Sequence, residues 1–101
     1  MMGYQAEYSN RARREFIEAW AWYEKQQAQL GDRFEKEIFQ KVKQLEEAPK
    51  RYPKRYRLYR ETAIDVFPYL IIYRLDEKSN RLIIVSVFHT SRNPAKKYGK
   101  K

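Results

Sequence analysis

The residues of this chain best suited to chemistry lie near its C-terminal end, where the run 89–92 (HTSR) follows a stretch of apolar residues. Two arginines, Arg57 and Arg60, lie in a basic segment earlier in the chain. Cleavage of RNA without a metal ion needs a base for the 2′-hydroxyl, an acid for the leaving oxygen, and cations for the charge that builds on phosphorus. His89 is a candidate acid or base, and Arg57, Arg60 and Arg92 are candidate phosphate clamps. In the structural alternative, a lone histidine closes the strand with a hydrogen bond, and Arg92 is an ordinary strand-end charge.

Positive charge is concentrated in two segments that contain no acidic residue, 50–60 (KRYPKRYRLYR) and 92–101 (RNPAKKYGKK). The chain has 22 Lys and Arg, 13 Asp and Glu, and a net charge of +9. Tyrosines are interleaved with the basic residues, a composition typical of surfaces that bind anionic partners. The candidate binding residues are Arg55, Arg57, Arg60, Arg92, Lys96, Lys97 and Tyr98.

Composition excludes several other kinds of site. The chain has one histidine, no cysteine and only three isolated glycines, so it cannot build a His-rich or Cys-rich metal site, a phosphate-binding glycine loop or a nucleophile elbow. We therefore expect no metal and no cofactor. Because no segment resembles a signal peptide or a membrane span, we expect a soluble cytoplasmic protein that does not contact membranes.

The N-terminal half reads as one strand followed by two helices. Residues 2–8 alternate in the manner of a strand, with Met2 at the start of its apolar face. Ser9 or Asn10 is a candidate N-cap for a first helix over about 10–28. Asp32 and Glu35 resemble a capping box that opens a second helix, which ends before Pro49. The inward faces are predicted to hold Ala12, Phe16, Trp20 and Tyr23 in the first helix and Phe34, Ile38, Val42 and Leu45 in the second.

Polar and aromatic residues of the first helix divide into two groups. The charged residues at its start are predicted to form a solvated outer face with local ion pairs; they are Arg11, Arg13, Arg14, Glu15 and Glu18. Trp20, Trp22 and Tyr23 are predicted to belong to the core. Because Trp22 falls outside the inward stripe, exposure of this side chain would be informative.

The C-terminal half reads as three strands. The first covers 56–60, and the second covers 66–75, where Pro68 indicates a bulge or an edge position. A turn over 76–80 precedes the third strand, 82–88, whose nearly continuous apolar residues predict the central, covered strand of the sheet. The polar residues from Asn93 onward are expected to order only on a partner. The predicted fold class is α+β, a helical hairpin packed on one antiparallel-rich sheet in the order β-α-α-β-β-β.

Five segments in this order resemble the RelE/ParE superfamily of bacterial type II toxins, also called plasmid stabilisation proteins. They are AWAWYEKQ, LGDRFEKEI, the helix end at a proline, FPYLIIYR and VSVFHTSRNP, within residues 4–94. The resemblance implies a toxin-like domain over 1–92, a basic tail over 93–101, and a cognate acidic antitoxin. It also implies growth arrest through either DNA gyrase (the ParE-like branch) or the ribosome, where the RelE-like branch cuts mRNA.

The residues that distinguish the two branches favour the ParE-like one. Two positions where the RelE-like nucleases have arginine align with Tyr69 and Thr90, which are neutral. Arg57 and Arg92 match basic positions of the nucleases, Tyr98 lies near their C-terminal tyrosine, and His89 keeps a histidine-using nuclease open. The sequence therefore predicts a toxin that inhibits DNA gyrase by binding.

Two alternatives stay open. One is a metal-independent, ribosome-dependent mRNA endoribonuclease in which Arg57 and Arg92 hold the phosphate and His89 transfers protons. The other is a nucleic-acid-binding module without toxicity, for which the two basic segments alone would suffice. For either toxin the basic residues named above are candidates for contacting the target or the antitoxin, and the assembly is a homodimer or a toxin–antitoxin hetero-oligomer.

Overall fold

The computed structural model describes residues 3–98, so Met2 and residues 99–101 of the predicted tail lie outside the described part. Two helices and a five-stranded sheet make up the fold. The elements are β1 (Gln5–Tyr8), α1 (Asn10–Gln26), α2 (Leu30–Glu47), β2 (Lys54–Tyr56), β3 (Tyr59–Ala63), β4 (Tyr69–Asp76) and β5 (Arg81–His89), followed by a 3-10 helix (Pro94–Lys96). The predicted α+β class is confirmed.

The strands lie in the order β1-β5-β4-β3-β2, in which β1 and β5 are parallel and all other pairs are antiparallel. The prediction that residues 82–88 form the central strand is wrong in position, because β4 occupies the middle of the sheet. β5 is nevertheless flanked on both sides, by β1 and β4, which accounts for its apolar sequence.

The central strand of the sheet differs from the predicted one because the basic segment 50–60 contributes an extra strand. Residues 56–60 were predicted to be one strand, but the chain turns at Arg57 and Leu58 and forms the hairpin of β2 and β3. Arg57 adopts a left-handed backbone with φ of 52°. Glycine or asparagine usually marks such two-residue turns, so the sequence carries no turn signal here.

The prediction for Pro68 is also wrong, because this residue precedes β4 instead of interrupting it. The Pro68 carbonyl accepts a hydrogen bond of 2.9 Å from the Thr90 N–H group, which joins the start of β4 to the end of β5. The irregularity of the sheet lies further along, between Ile72 and Tyr73, where β5 carries one extra residue, Val85.

The two helices form a hairpin that packs on one face of the sheet. Ser9 caps α1 as predicted, and its Oγ accepts a hydrogen bond from the Ala12 N–H group at 3.0 Å. Within residues 3–98, neither helix has the length and apolarity of a bilayer-spanning segment. The predicted inward faces of both helices are confirmed, because their residues from α2 are buried and those from α1 are buried or packed against the core. They are Ala12, Phe16, Trp20 and Tyr23 of α1 with Phe34, Ile38, Val42 and Leu45 of α2.

The start of α2 differs from the predicted capping box. The helix begins at Leu30, two residues before Asp32, and its N-cap Gln29 has a left-handed backbone with φ of 72° and no side-chain capping bond. Glu24 of α1 supplies the cap instead, since its carboxylate accepts hydrogen bonds of 2.9 Å from the N–H groups of both Gln29 and Gly31. A carboxylate from the neighbouring helix thus performs the role that local sequence assigned to Asp32.

Gly31 is required by this close helix junction. A Cβ atom at position 31 would lie 2.8 Å from the Trp20 carbonyl oxygen and 2.9 Å from Glu24 Oε1. We expect Gly31→Ala to lower the free energy of unfolding by about 1–3 kcal/mol, because the overlap outweighs the better helix propensity of alanine. Urea denaturation of both alanine variants would measure this. Gly3→Ala is the matched control, since nothing lies within 4 Å of its Cβ; equal stability of the two variants would contradict the prediction.

Candidate functional site

The two faces of the sheet are covered by different parts of the chain. Glu61, Ile72 and Ser86 are paired across three neighbouring strands and so share a face, the one opposite the helices. Ile72 and Ser86 are nonetheless fully buried. The covering element is the segment Arg92–Tyr98, which we call the C-terminal segment.

A buried carboxylate, Glu15 of α1, anchors the beginning of the C-terminal segment. Its Oε1 accepts hydrogen bonds from Ser86 Oγ at 2.7 Å and from the Val87 N–H group at 3.0 Å. Its Oε2 contacts the Arg92 guanidinium at 2.8 Å and the Arg11 guanidinium at 3.1 Å. One carboxylate therefore joins α1, β5 and the C-terminal segment through four donors.

The prediction that Glu15 lies on a solvated face is wrong, because the residue is only 9% exposed. The cause is the short length of β1. This strand pairs with β5 only as far as Ile84, and beyond that point the edge of β5 meets α1. The Val87 N–H group at that edge needs an acceptor, which Glu15 provides. The sequence offers a weak signal only: Glu15 lies three residues after buried Ala12 and four before buried Ala19.

A second buried carboxylate, Glu61 of β3, holds the end of the C-terminal segment. The Lys97 ammonium lies 3.2 Å from Glu61 Oε1, and the Tyr98 hydroxyl donates a hydrogen bond to Glu61 Oε2. The Glu61 side chain is 6% exposed. Burial, followed by the bond to Glu61, raises the pKa of Tyr98 to about 12, so this hydroxyl is a donor throughout the physiological range.

The two acid-free segments converge at Tyr98. Its ring stacks on Tyr56 with centroids 4.6 Å apart and on Tyr59 at 5.3 Å. Arg11 fixes the backbone nearby, because its guanidinium donates to the carbonyl oxygens of Lys96 at 2.6 Å and Lys97 at 3.1 Å. The expectation that the tail orders only on a partner is therefore wrong for residues 93–98, which pack on the chain's own sheet.

The predicted binding residues divide into free and engaged cations. Arg55, Arg57 and Lys96 are exposed and form no ion pair within residues 3–98. The Arg57 guanidinium lies over the Tyr56 ring at 5.2 Å. Arg60 lies apart from them, because it is 8% exposed and donates a 2.6 Å hydrogen bond to the Tyr52 carbonyl oxygen. Arg92 and Lys97 are engaged with the two buried carboxylates.

His89 and Arg92 line a shared pocket of about 160 Å³ between α1 and the end of β5. Arg57 is not among its lining residues, so only two of the three candidate catalytic residues meet there. The His89 ring packs edge-on against Tyr69, with centroids 4.9 Å apart. Burial, followed by repulsion from Tyr23, raises the pKa of Tyr69 to about 12. Tyr69 is therefore a neutral residue at the position where the nuclease pattern has arginine.

The hydrogen bonds of His89 define its tautomer. The Ser91 N–H group donates to His89 Nδ1 at 3.0 Å, and the Ser91 hydroxyl lies 2.7 Å from the same nitrogen. Because a backbone N–H group can only donate, Nδ1 must be the unprotonated acceptor. The neutral ring then carries its proton on Nε2. In this arrangement His89 offers a hydrogen-bond donor at Nε2.

Residues 3–98 contain no group of three or more His, Asp or Glu side chains placed to hold a metal ion. Within the described residues the site consists of free cations and tyrosine rings on one face of the sheet, and a small mixed pocket beside α1.

The comparisons with known proteins agree with this fold. The family described as ParE toxin of type II toxin-antitoxin system, parDE, matches residues 6–94. A solved structure described as "Chromosomal ParDE TA system from P. aeruginosa" superposes with a TM-score of 0.74 at 12% sequence identity, covering 87% of this chain and 97% of that chain. At this identity the likeness shows the fold alone. No curated protein matches the sequence.

Proposed function

Because this chain belongs to the ParE toxin family of type II toxin–antitoxin systems, we propose that it inhibits DNA gyrase by binding to it and does not cut RNA. Membership in the RelE/ParE superfamily, expected from the sequence, is thereby confirmed, and the chain is a toxin component. The target and the mode of action are the proposed part.

The observation that supports binding over cleavage is the engagement of the candidate nuclease residues. Arg92 is paired with Glu15 at 2.8 Å, and the Tyr98 hydroxyl is bonded to Glu61. A phosphate clamp needs guanidinium groups free to meet the phosphoryl oxygens, and the proton-transfer residues must change protonation during the reaction. While these residues hold the C-terminal segment, the Arg92 guanidinium is not free to meet a phosphate, and the Tyr98 hydroxyl is not free to give up its proton.

His89 is equally unsuited to proton transfer. Its free nitrogen, Nε2, carries the proton of the neutral ring, so it cannot accept one from a 2′-hydroxyl. The nitrogen that could accept, Nδ1, is occupied by Ser91 at 3.0 Å from the N–H group. With Nδ1 engaged in this bond, the ring lacks the free acceptor nitrogen that a general base needs to contribute its ~10²–10⁴-fold.

The free cations fit recognition of acidic protein surfaces. Arg55, Arg57 and Lys96 lie within two residues of the stacked Tyr56 or Tyr98 along the chain, Arg57 lies over the Tyr56 ring at 5.2 Å, and the chain has a net charge of +9. We propose that the cognate acidic antitoxin and the target both approach this face, with Lys97 and Arg92 contributing their hydrocarbon stems. Charge complementarity of this kind speeds association and selects partners.

The test is a plasmid assay with purified gyrase. Added toxin is expected to inhibit supercoiling or to trap cleavage complexes, and mRNA in the same induced cells is expected to stay intact. The double variant Arg55→Glu/Arg57→Glu should raise the toxin concentration needed to inhibit gyrase by about tenfold or more, because both charges are reversed. Arg33→Glu with Lys36→Glu, on the outer surface of α2, is the charge-matched control.

The outcomes separate the proposal from its alternatives. His89→Ala should leave gyrase inhibition unchanged. Transcripts cut within codons in primer-extension assays, with cutting lost in His89→Ala, would replace the proposal with the ribosome-dependent nuclease. Growth arrest with neither gyrase inhibition nor cleavage would also contradict it.

A further inference from the structure

The pocket between α1 and the end of β5 contains Trp22, for which the predicted core position is wrong. Trp22 is 59% exposed, although large apolar side chains favour burial. It lines the pocket with Glu15, Glu18, Tyr69, His89 and Arg92. Trp22 packs into neither the core nor the partly buried layer around it, so its position is not explained by the stability of the fold.

The size of the pocket limits its occupant to one side chain. Its volume is about 160 Å³, whereas sites for whole small molecules measure roughly 300–1,000 Å³. Pockets that take one anchoring side chain are common at the centres of protein interfaces, where the anchors are most often Trp, Tyr or Arg.

The charges of the pocket select the chemistry of that side chain. Glu15 is satisfied by four donors, and Arg92 is satisfied by Glu15. Glu18, which is exposed, forms no ion pair or hydrogen bond through its carboxylate within residues 3–98. Among the charged residues that line the pocket, Glu18 is therefore the one without an ion pair within residues 3–98, although the chain as a whole carries +9. An incoming cation would be attracted at this point, and an incoming carboxylate would be repelled.

Glu18 and Trp22 are arranged to receive such a cation together. They are four residues apart on α1 and so neighbours on one helix face. An indole ring attracts a guanidinium through its face, and a carboxylate binds a guanidinium through its planar fork. Arginine combines both contacts better than lysine, because its flat group stacks while it donates hydrogen bonds.

We propose that this pocket binds one arginine side chain of the antitoxin, a protein segment that is otherwise acidic. This inference rests on the proposed toxin function, because it assumes that antitoxin. The face that carries Arg55, Arg57 and Lys96 attracts any polyanion, including nucleic acid, and so it discriminates poorly between anionic partners. A pocket that demands a cation at a fixed place within an acidic segment excludes nucleic acid and fixes the register of the partner.

The first test uses N-acetyl-arginine amide as the probe with the full-length chain. In ¹⁵N-resolved NMR spectra, the Trp22 indole N–H signal is expected to shift and to saturate with the probe at millimolar concentration, while the Trp20 indole signal stays fixed. N-acetyl-citrulline amide, which is neutral but similar in shape, should shift it at least tenfold more weakly. Equal shifts by both probes, or no saturable shift, would overturn the proposal. A shift by adenosine monophosphate alone would instead indicate base stacking and would also overturn it.

The second test uses the complete antitoxin from the neighbouring open reading frame. Glu18→Gln and Trp22→Ala should each weaken its binding by about tenfold, as loss of one anchoring contact does. Both positions are exposed, so the variants should fold, as circular dichroism would verify. Glu37→Gln is the matched control on α2. Unchanged affinity in both variants, with weaker binding in the Arg55→Glu/Arg57→Glu variant, would overturn the pocket proposal alone. Absence of any antitoxin binding by the unaltered chain would overturn both proposals.

Discussion

Replacement of Glu15 by alanine is expected to lower the free energy of unfolding by about 2–4 kcal/mol, the largest effect we expect of a single substitution in this chain. The loss leaves the Val87 N–H group and the Ser86 hydroxyl without their acceptor, and both lie in the buried part of the edge of β5. Each buried donor left unsatisfied costs roughly 1–3 kcal/mol.

The ion pairs of Glu15 contribute less than these two hydrogen bonds. The Arg92 side chain is 42% exposed, so water can solvate its guanidinium once Glu15 is gone. The greater consequence concerns position, because Arg92 is the first residue of the C-terminal segment. Loss of its anchor should loosen that segment even where the rest of the fold survives.

Urea denaturation of Glu15→Ala and Glu15→Gln would measure the effect. The amide oxygen of glutamine can still accept from Val87, so we expect Glu15→Gln to lose about half as much stability as Glu15→Ala. Glu18→Ala, about one turn further along α1 at an exposed position, is the control and should change stability by less than about 0.5 kcal/mol. If Glu15→Ala were as stable as Glu18→Ala, the buried carboxylate would have no structural role.

Glu15 also illustrates why the fold was easier to predict than the site. The helical stripes of α1 and α2 depend on apolar spacing within each helix, so local sequence was enough to identify Phe34 and Ile38 as core residues. The burial of Glu15 depends on the edge that β5 exposes once β1 has ended at Tyr8. That edge exists only after residues more than seventy positions apart have come together.

The errors at the turn between β2 and β3 and at the start of α2 have the same origin. The turn at Arg57 needs a left-handed backbone that the residue type does not suggest, and the start of α2 is capped by Glu24 from another helix. In both places tertiary contacts override the local signal. The two acid-free segments, in contrast, were identified from their charge alone, and the stacking of Tyr56 on Tyr98 brings them together.

The second large effect is expected from removal of the C-terminal segment. A chain that ends at Asn93 lacks Lys97 and Tyr98 and should lose about 2–4 kcal/mol of unfolding free energy. The truncation breaks the two contacts to buried Glu61 and the stacking of Tyr98 on Tyr56 and Tyr59. An aromatic pair contributes about 0.5–1.5 kcal/mol beyond the area that it buries, and a hydrogen bond to a charged group about 1.5–3 kcal/mol.

A chain that ends at Tyr98 is the control and should retain its stability, since it keeps all these contacts. Two point variants divide the effect: Tyr98→Phe keeps the stacked ring and loses the hydroxyl, whereas Lys97→Met loses the ammonium. Each should cost less than the truncation. Equal stability of the two truncated chains would show that the segment does not stabilise the sheet, and would also remove the reason for assigning Lys97 a structural role.

Alkaline pH offers an independent measurement of the Tyr98 contact. The pKa of Tyr98 is about 12 in the folded chain against its ordinary value of 10.0, so the unfolded chain loses this proton first as pH rises. The stability that the contact contributes is therefore complete below about pH 10 and is lost between about pH 10 and 12. Removing the hydroxyl removes this dependence. The difference in unfolding free energy between the unaltered chain and Tyr98→Phe should thus shrink across that interval, and a difference that stayed constant would mean that the Tyr98 hydroxyl is neither buried nor held by Glu61.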